Sequence, residues 1–206
     1  MEREALAGVR NRWRFLLEFY QARTLILCAP ALAVYEASVV LFLLKKGEFR
    51  VRFDTQFKKV IRSCKDAYRP GQRGTWLTDE MEQAYNQLHA MGYCHSVEVY
   101  LGDALVGGLY GLSLGRMFFG ESMFSLADDA SKVATVALVE KVKGFEFKYI
   151  DCQVLNPHTE ALGAVEWPRS QYLKVLAEEL KFPNRQGSWT EPEPRVPQAP
   201  AQAPGT

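Results

Sequence analysis

The chain has 206 residues, with 25 lysine and arginine residues against 24 aspartate and glutamate residues, so its formal net charge is +1. Hydrophobic residues make up 48% of it and aromatic residues 12%, which excludes global disorder, a collagen-like repeat and a coiled-coil rod. Its four cysteines show no C-x-x-C spacing, which argues against a disulfide scaffold and indicates a reducing compartment. The length suits one or two domains with a substantial core.

An apolar segment of 21 residues, 24–44, lies near the N-terminus. As a helix it is long enough to span a bilayer of about 30 Å. Glu36, near its middle, opposes this, because a charged side chain at that depth costs about 2.5–3.5 kcal/mol. A buried helix or a pair of strands is therefore favoured over a membrane helix.

The next segment, residues 45–73, is basic. It holds ten lysine and arginine residues against Glu48, Asp54 and Asp66, a net charge of +7. Such a segment can bind the phosphates of a nucleic acid, or it can be the solvated face of a helix. The candidate phosphate-binding residues are Lys45, Lys46, Arg50, Arg52, Lys58, Lys59 and Arg62.

The middle of the chain alternates between helical and strand patterns. A cap-like Asp79-x-x-Glu82 opens the first helix, and Gly92 follows its end. Strands are predicted over 95–101, 105–114, 117–119 and 145–154, and helices over 79–91, 128–143 and 168–181. The pattern predicts an α/β or α+β fold, a mixed sheet with helices packed on it.

The predicted strand 145–154 carries the first candidate for chemistry. Alternation places Asp151 and Gln153 on one face, after three aromatic residues, where polar groups are costly unless they are paired or used. Alternatively, Asp151 caps the next turn and Gln153 bonds the backbone. Cys152 is expected to face the other way, with nothing nearby to lower its pKa, which argues against a cysteine nucleophile.

Glu121 is the second candidate. It lies between Phe119 and Phe124 and can hold a cationic group, or it can pair with a surface Arg or Lys. His89, Cys94 and His95 match no common metal site, and we predict no metal.

The C-terminal end has a different composition. Residues 183–206 contain six of the ten prolines and few large apolar residues. Such a segment buries too little surface to offset its ordering entropy, so residues 184–206 are predicted to be disordered. The predicted organisation is an N-terminal segment over 1–44, a catalytic domain over 45–183 and this tail.

Several short strings occur together in one order. They are Gly-Thr-Trp-Leu-Thr at 74–78, His-Ser-Val-Glu at 95–98, Leu-Val-Gly-Gly-Leu-Tyr-Gly at 105–111, Gly-Glu-Ser-Met-Phe-Ser at 120–125, Ala-Ser-Lys at 130–132 and Ile-Asp-Cys-Gln-Val-Leu-Asn at 150–156. With His158-Thr159 and Pro168-Arg169, the set resembles the bacterial leucyl/phenylalanyl-tRNA–protein transferases over about residues 45–180. The atypical segment 1–44 does not match the family pattern.

The resemblance implies a fold related to the acetyltransferase superfamily and a cytoplasmic role. Such enzymes transfer Leu or Phe, and sometimes Met, from aminoacyl-tRNA to the N-terminal Arg or Lys of a protein. The product is then marked for N-degron proteolysis. No cofactor is implied, because an aminoacyl ester is already activated.

The resemblance also implies roles for individual residues. Asp151 and Gln153 are the implied catalytic pair, and Glu121 reads the basic residue of the acceptor. Trp76 stacks near the terminal adenosine of the tRNA, Met123 and Ile150 line the pocket for the transferred side chain, and Asn156 belongs to the substrate-binding set. The basic segment is expected to contact phosphates of the acceptor stem.

Two questions stay open at this point. Asp151 can polarise the amide of Gln153 so that its oxygen attracts a proton of the amine, or the terminal ribose can assist proton transfer itself. The chain can also be an acyl-coenzyme A acetyltransferase, although no Arg/Gln-x-x-Gly-x-Gly/Ala run precedes a helix, or a catalytically impaired, truncated relative that only binds tRNA or protein.

Overall fold

The computed structural model describes residues 23–28, 49–68 and 75–190. The predictions for Lys45 and Lys46, for most of the apolar segment and for the last sixteen residues of the tail lie outside these ranges. Within the described part of the chain, no helix is both long and apolar enough to cross a membrane.

The described residues form one sheet of seven strands. In chain order they are β1 (Arg23–Cys28), β2 (Arg50–Phe53), β3 (Cys94–Leu101), β4 (Ala104–Leu114), β5 (Met117–Ser125), β6 (Tyr149–Asp151) and β7 (Ala164–Pro168). The spatial order is β2-β3-β4-β5-β6-β1-β7, and of the pairings only β5–β6 is parallel. β1, from the segment predicted to be separate, therefore belongs to the same sheet as the predicted catalytic domain.

Five helices in the described ranges pack on this sheet. They are α1 (Phe57–Asp66), α2 (Asp79–Ala90), α3 (Ala130–Lys143), α4 (Pro157–Ala161) and α5 (Arg169–Glu179). One core cluster joins the sheet to α1, α2 and Tyr172 of α5, and a second joins it to α3. The predicted mixed sheet with packed helices is confirmed.

Local sequence explains where the helices begin and end. The cap of α2 is Thr78, one residue before the predicted position, and its hydroxyl accepts a hydrogen bond from the Met81 N–H at 3.3 Å. Gly92 has a φ of 78°, which suits the predicted end of this helix. Against β4, a Cβ on Gly107 would lie 2.6 Å from the Cβ of Ala130, so the glycine allows α3 to begin close to the strand.

The strand predicted over 145–154 is wrong in length. Only Tyr149–Asp151 forms β6, because Glu146 has a φ of 64° and the chain turns there. Conversely, β5 is longer than predicted and continues to Ser125, so Glu121 and Met123 lie in a strand.

The predicted disorder of the tail is wrong for residues 184–190, which we call the C-terminal strap. Trp189 is buried, and its ring stacks on that of His95 with the centroids 3.8 Å apart. Its backbone N–H donates to Asp54 Oδ2 at 2.7 Å, and the Thr190 hydroxyl donates to the Phe53 carbonyl at 2.9 Å. One large aromatic side chain thus anchors a segment whose composition predicts disorder.

Candidate active site

The candidate site lies where strands β5 and β6 separate. Their parallel pairing runs from Met117–Tyr149 to Phe119–Asp151 and ends there. Beyond this point the Gln153 side-chain amide donates through Nε2 to the Gly120 carbonyl at 2.8 Å. This bond connects the two strands just after their pairing has ended, and it places Gln153 at the opening.

Asp151 is the last residue of β6 and is 2% exposed. Its Oδ1 accepts a hydrogen bond from the Gln153 backbone N–H at 2.8 Å, and its Oδ2 accepts one from the Tyr172 hydroxyl at 2.8 Å. Both carboxylate oxygens are therefore engaged with protein donors, which fixes the side chain in one orientation.

Burial raises the pKa of Asp151 to about 6. The two hydrogen bonds act in the opposite direction because they stabilise the ionised form, while the negative charge of Glu121 raises the pKa further. A carboxyl group with a pKa near neutrality is typical of functional sites.

Gln153 has a φ of 63°, a conformation that residues other than glycine seldom adopt. The bond from its N–H to Asp151 closes a local turn that stabilises this conformation. The side-chain amide donates to the Gly120 carbonyl, and the Asp151 carboxylate bonds the backbone N–H of Gln153 instead of its amide. The amide Oε1 is left as the acceptor that a substrate can use.

Glu121 lies in a β-bulge of β5. Tyr110 pairs with Ser122 and Gly111 with Gly120, so Glu121 is the extra residue between these pairs. The side chain is buried, with both carboxylate oxygens enclosed, and its charge acts on Asp151 and Cys94. The bulge thus directs a second carboxylate toward the site of Asp151.

The same bulge reverses the alternation of side chains along β5. Phe119 and Phe124 both lie in the cluster beneath α1 and α2, although they are five positions apart and regular alternation would place them on opposite faces. Met123 and Ile150 pack together in the other cluster, against α3. These two residues, predicted to line a side-chain pocket, therefore share the α3 side of the sheet, whereas Asp151 reaches Tyr172 on the other side.

Cys152 confirms the orientation expected from alternation. It packs against the α3 cluster, whereas Asp151 bonds Tyr172 in the other cluster. The two neighbouring side chains therefore lie on opposite faces of the sheet.

Two further predicted site residues, Trp76 and Asn156, lie at the starts of helices. Trp76 precedes α2 and packs against the α1–α2 cluster. Asn156 is the N-cap of α4, where its Oδ1 accepts hydrogen bonds from the backbone of His158 and Thr159, both at 3.0 Å. Its carbonyl group therefore has a structural use that the sequence analysis did not predict.

The described basic candidates fall into two groups. Lys58, Lys59 and Arg62 lie on α1 and line a groove of about 570 Å³ together with Leu105 of β4. Arg50 and Arg52 lie on the edge strand β2. Arg50 donates to the Gly102 carbonyl at 3.2 Å in the β3–β4 turn and pairs with Asp103 at 3.4 Å.

A third acidic residue, Asp54, forms a separate buried cluster. Its Oδ2 lies 2.9 Å from His95 Nδ1, and its Oδ1 accepts from the Ser96 N–H at 2.9 Å. Burial by itself would raise the pKa of Asp54, but the hydrogen bond and charge of His95 hold it below the usual value. Because Trp189 covers His95, this pair is part of the core.

Among the described residues, no group of His, Cys, Asp and Glu is arranged to hold a metal ion.

Tyr172 is the functional candidate that the sequence analysis missed. It lies in the first turn of α5 and is 2% exposed. Helical spacing places Tyr172, Leu176 and Glu179 on one face, so the pattern predicts that they point inward. What the pattern does not contain is the contact with Asp151, which depends on how α5 crosses the end of β6.

A buried carboxylate with a pKa near neutrality, an amide oxygen and a second buried carboxylate converge at the opening of a mixed sheet. Groups of these types can position a substrate and accept or donate protons. The chain belongs to the leucyl/phenylalanyl-tRNA protein transferase family, whose model matches residues 36–177. The match begins before residue 45, the predicted start of the catalytic domain.

Relatives from two bacteria are named as members of this family. The leucyl/phenylalanyl-tRNA–protein transferase of Myxococcus xanthus is 53% identical over 146 residues, which are 71% of this chain and 62% of that protein. The Xanthomonas campestris pv. campestris protein is 49% identical over 72% of this chain and 59% of its own length. The alignments thus span about 60% of these relatives.

Solved structures show weaker similarity. The structure of L-PGS from Bacillus licheniformis has a TM-score of 0.48 at 8% identity and covers 66% of this chain and 47% of that one. An aminoglycoside acetyltransferase from a soil metagenome has a TM-score of 0.41 at 11% identity, covering 66% of this chain and 89% of that one. These scores are too low to assign function, and the family assignment rests on the sequence relatives.

Proposed function

We propose that this chain transfers Leu, Phe or Met from aminoacyl-tRNA to the N-terminal Arg or Lys of acceptor proteins in the cytoplasm. The transfer would mark these proteins for N-degron proteolysis. The observation that carries the proposal is the convergence of Asp151, Gln153 and Glu121 where β5 and β6 separate. This convergence also favours an active enzyme over an impaired relative that only binds tRNA or protein.

The reaction needs little from the protein besides placement. The neutral α-amine of the acceptor attacks the ester carbonyl carbon of the aminoacyl-tRNA, a C–N bond forms, and the C–O bond to the terminal ribose breaks. One proton leaves the amine and one is gained by the ribose oxygen. No covalent enzyme intermediate is required, because the ester is already activated.

Gln153 Oε1 is the group that we assign to the amine. With Nε2 held by the Gly120 carbonyl, Oε1 can accept a hydrogen bond from the amine N–H and align its lone pair with the ester. An amide oxygen is a weak base, so the final proton acceptor is either the ribose hydroxyl or solvent. Asp151 acts behind Gln153, since both of its oxygens bond protein donors.

Glu121 is assigned to the cationic side chain of the acceptor residue. An arginine or lysine side chain that enters the site can form a charge-assisted hydrogen bond with this buried carboxylate, where the low local dielectric strengthens the attraction. This explains a preference for N-terminal Arg or Lys over neutral residues.

The groove between α1 and β4 is assigned to phosphates of the tRNA acceptor stem. Lys58 and Lys59 are exposed there, and Arg62 pairs with Glu82 at 3.1 Å. Contacts of lysine and arginine to phosphates are largely independent of sequence, which suits an enzyme that accepts more than one tRNA.

The test is transfer of radiolabelled Leu from Leu-tRNA to a protein with N-terminal Arg, using the purified chain. We expect label on this acceptor and none on the same protein with N-terminal Gly. A folded preparation that binds tRNA and labels neither acceptor contradicts the proposal and supports the binding-only alternative.

A further inference from the structure

Tyr172 connects α5 to the end of β6 through a side-chain hydrogen bond to Asp151. Its hydroxyl donates to Asp151 Oδ2 at 2.8 Å, and both residues are 2% exposed. Because neither group can exchange this bond for one to bulk water, losing it would leave Oδ2 buried with one donor fewer.

The contact continues to Gln153. Oδ1 of the same carboxylate accepts the Gln153 backbone N–H, and Gln153 in turn bonds Gly120 through its side chain. Gln153 has a φ of 63°, so its backbone conformation needs support from its surroundings. Tyr172, Asp151 and Gln153 therefore form one chain of hydrogen bonds that ends at the opening between β5 and β6.

We propose that Tyr172 is a positioning residue of the transfer reaction, whose hydroxyl holds the ionised carboxylate of Asp151 in the orientation that orders Gln153. This inference rests on the proposed function. It adds a residue on α5, outside the motif that contains Asp151 and Gln153.

The charges around the pair determine the expected pH dependence. In the described part of the chain, Glu121 of β5 and Tyr172 of α5 are the titratable groups that act on Asp151, and Arg169 of α5 acts on Tyr172. Burial and the neighbouring carboxylate raise the pKa of Tyr172 far above its usual value, so it stays a donor at all relevant pH values. Burial raises the pKa of Asp151 to about 6, and the Tyr172 bond opposes this increase.

The experiment compares the unaltered 206-residue chain with its Tyr172→Phe variant, which lacks only the hydroxyl. The Asp151 carboxyl group is titrated by ¹³C NMR, and transfer is measured from pH 5.5 to 9. Tyr100→Phe is the matched control, because Tyr100 is also a buried tyrosine but lies on β3 near Arg50 and Thr55.

We expect the Asp151 midpoint to rise by about one pH unit or more in Tyr172→Phe, because a hydrogen bond to the charged form is lost. Transfer should fall about fivefold at pH 6 and about twofold at pH 7, and it should recover toward pH 9 as Asp151 ionises again. The control should change neither quantity. A midpoint that does not move, or a loss of transfer that is equal at every pH, overturns the inference.

The NMR titration tests the role of Tyr172 even if the chain does not catalyse transfer. If the wild-type chain transfers nothing, the proposed function fails, while the NMR midpoint still decides whether Tyr172 controls Asp151. If Tyr172→Phe does not fold, 3-fluorotyrosine at position 172 replaces it. This stronger donor should lower the Asp151 midpoint, and an unchanged midpoint again contradicts the inference.

Discussion

The side-chain amide of Gln153 donates to the carbonyl oxygen of Gly120 at 2.8 Å, across the point where β5 and β6 stop pairing. Gln153 is attached on its other side to Asp151 through its own backbone N–H. The residue is thus held at two points while its Oε1 is left to a substrate. Its strained φ of 63° is the conformational cost of this placement.

Two substitutions of Gln153 distinguish the contribution of its side-chain amide from that of its backbone conformation. Gln153→Ala and Gln153→Gly both remove the amide, and both should lower transfer by about 100-fold or more while tRNA binding is kept. Glycine adopts a positive φ without strain, so the glycine variant should have a free energy of unfolding about 1 kcal/mol higher than the alanine variant.

Urea unfolding and transfer kinetics on the two variants check this prediction. Recovery of transfer in Gln153→Gly alone would show that the backbone conformation matters and the amide does not.

Glu121→Gln should affect charged acceptors selectively. We expect kcat/KM for peptides with N-terminal Arg to fall by about 10- to 100-fold, because a charge-assisted hydrogen bond in a buried site is lost. A peptide with N-terminal citrulline, the neutral isostere of arginine, should be used equally by both enzymes. Equal losses on both peptides would contradict the role of Glu121 in reading charge.

The Glu121→Gln variant can also be tested through its effect on the pKa of Asp151. The charge of Glu121 raises the pKa of Asp151, so its removal should shift the acidic limb of the transfer profile to lower pH. Glu160→Gln, an exposed change on α4, serves as the control and should leave the limb in place.

Much of the site could be predicted from sequence, but its geometry could not. Strand alternation and the family strings indicated Asp151, Gln153 and Glu121 as candidates, and the structure places these residues near one another. Alternation along β5 could not have placed Glu121, because a bulge inserts one residue there. Gly120 was the available signal, since a glycine inside a strand often marks a bulge or a close approach.

The remaining differences arise from tertiary contacts. The Tyr172–Asp151 bond joins residues 21 positions apart, and its formation depends on how α5 crosses β6. The C-terminal strap was predicted as disordered from its prolines, although Trp189 is an anchor of a kind that such segments seldom contain. Composition averages over a segment and so conceals one residue that buries a large area.

Asp151→Asn should abolish most transfer and yet stabilise the fold. The folded state raises the pKa of this group from 3.8 to about 6, so ionised Asp151 costs the folded state about 3 kcal/mol above pH 7. Asparagine carries no charge, and it can still accept from the Gln153 N–H and donate to Tyr172. The variant should therefore unfold at a higher urea concentration than the wild type at pH 8.

The pH dependence gives the check. Between pH 3.8 and 6 the folded state binds more protons than the unfolded state, so wild-type stability from this group falls as pH rises. The difference in free energy of unfolding between Asp151→Asn and the wild type should narrow as pH falls from 7 to 4. If this difference is constant over the range, Asp151 does not titrate near pH 6.

The basic groove should determine how tRNA binding depends on salt. Replacing Lys58 and Lys59 together with glutamine should weaken binding similarly for Leu-tRNA and Phe-tRNA and reduce the slope of log affinity against log salt by about 1 to 2. The control is Lys143→Gln. Lys143 is exposed on α3, which packs on the core cluster that does not include α1. An unaltered slope in the double variant would exclude the groove as a phosphate surface.

The C-terminal strap should be a stable part of the fold. Trp189→Ala should lower the free energy of unfolding by about 3–5 kcal/mol, because it removes a buried ring that stacks on His95. Trp189→Phe should cost less, since it keeps an aromatic ring there.

Truncation after Pro183 also removes the Trp189 N–H that donates to Asp54, so it should be at least as destabilising as Trp189→Ala. Truncation after Thr190 keeps the strap and is the matched control. If the two truncated chains unfold at the same urea concentration, the strap does not stabilise the fold.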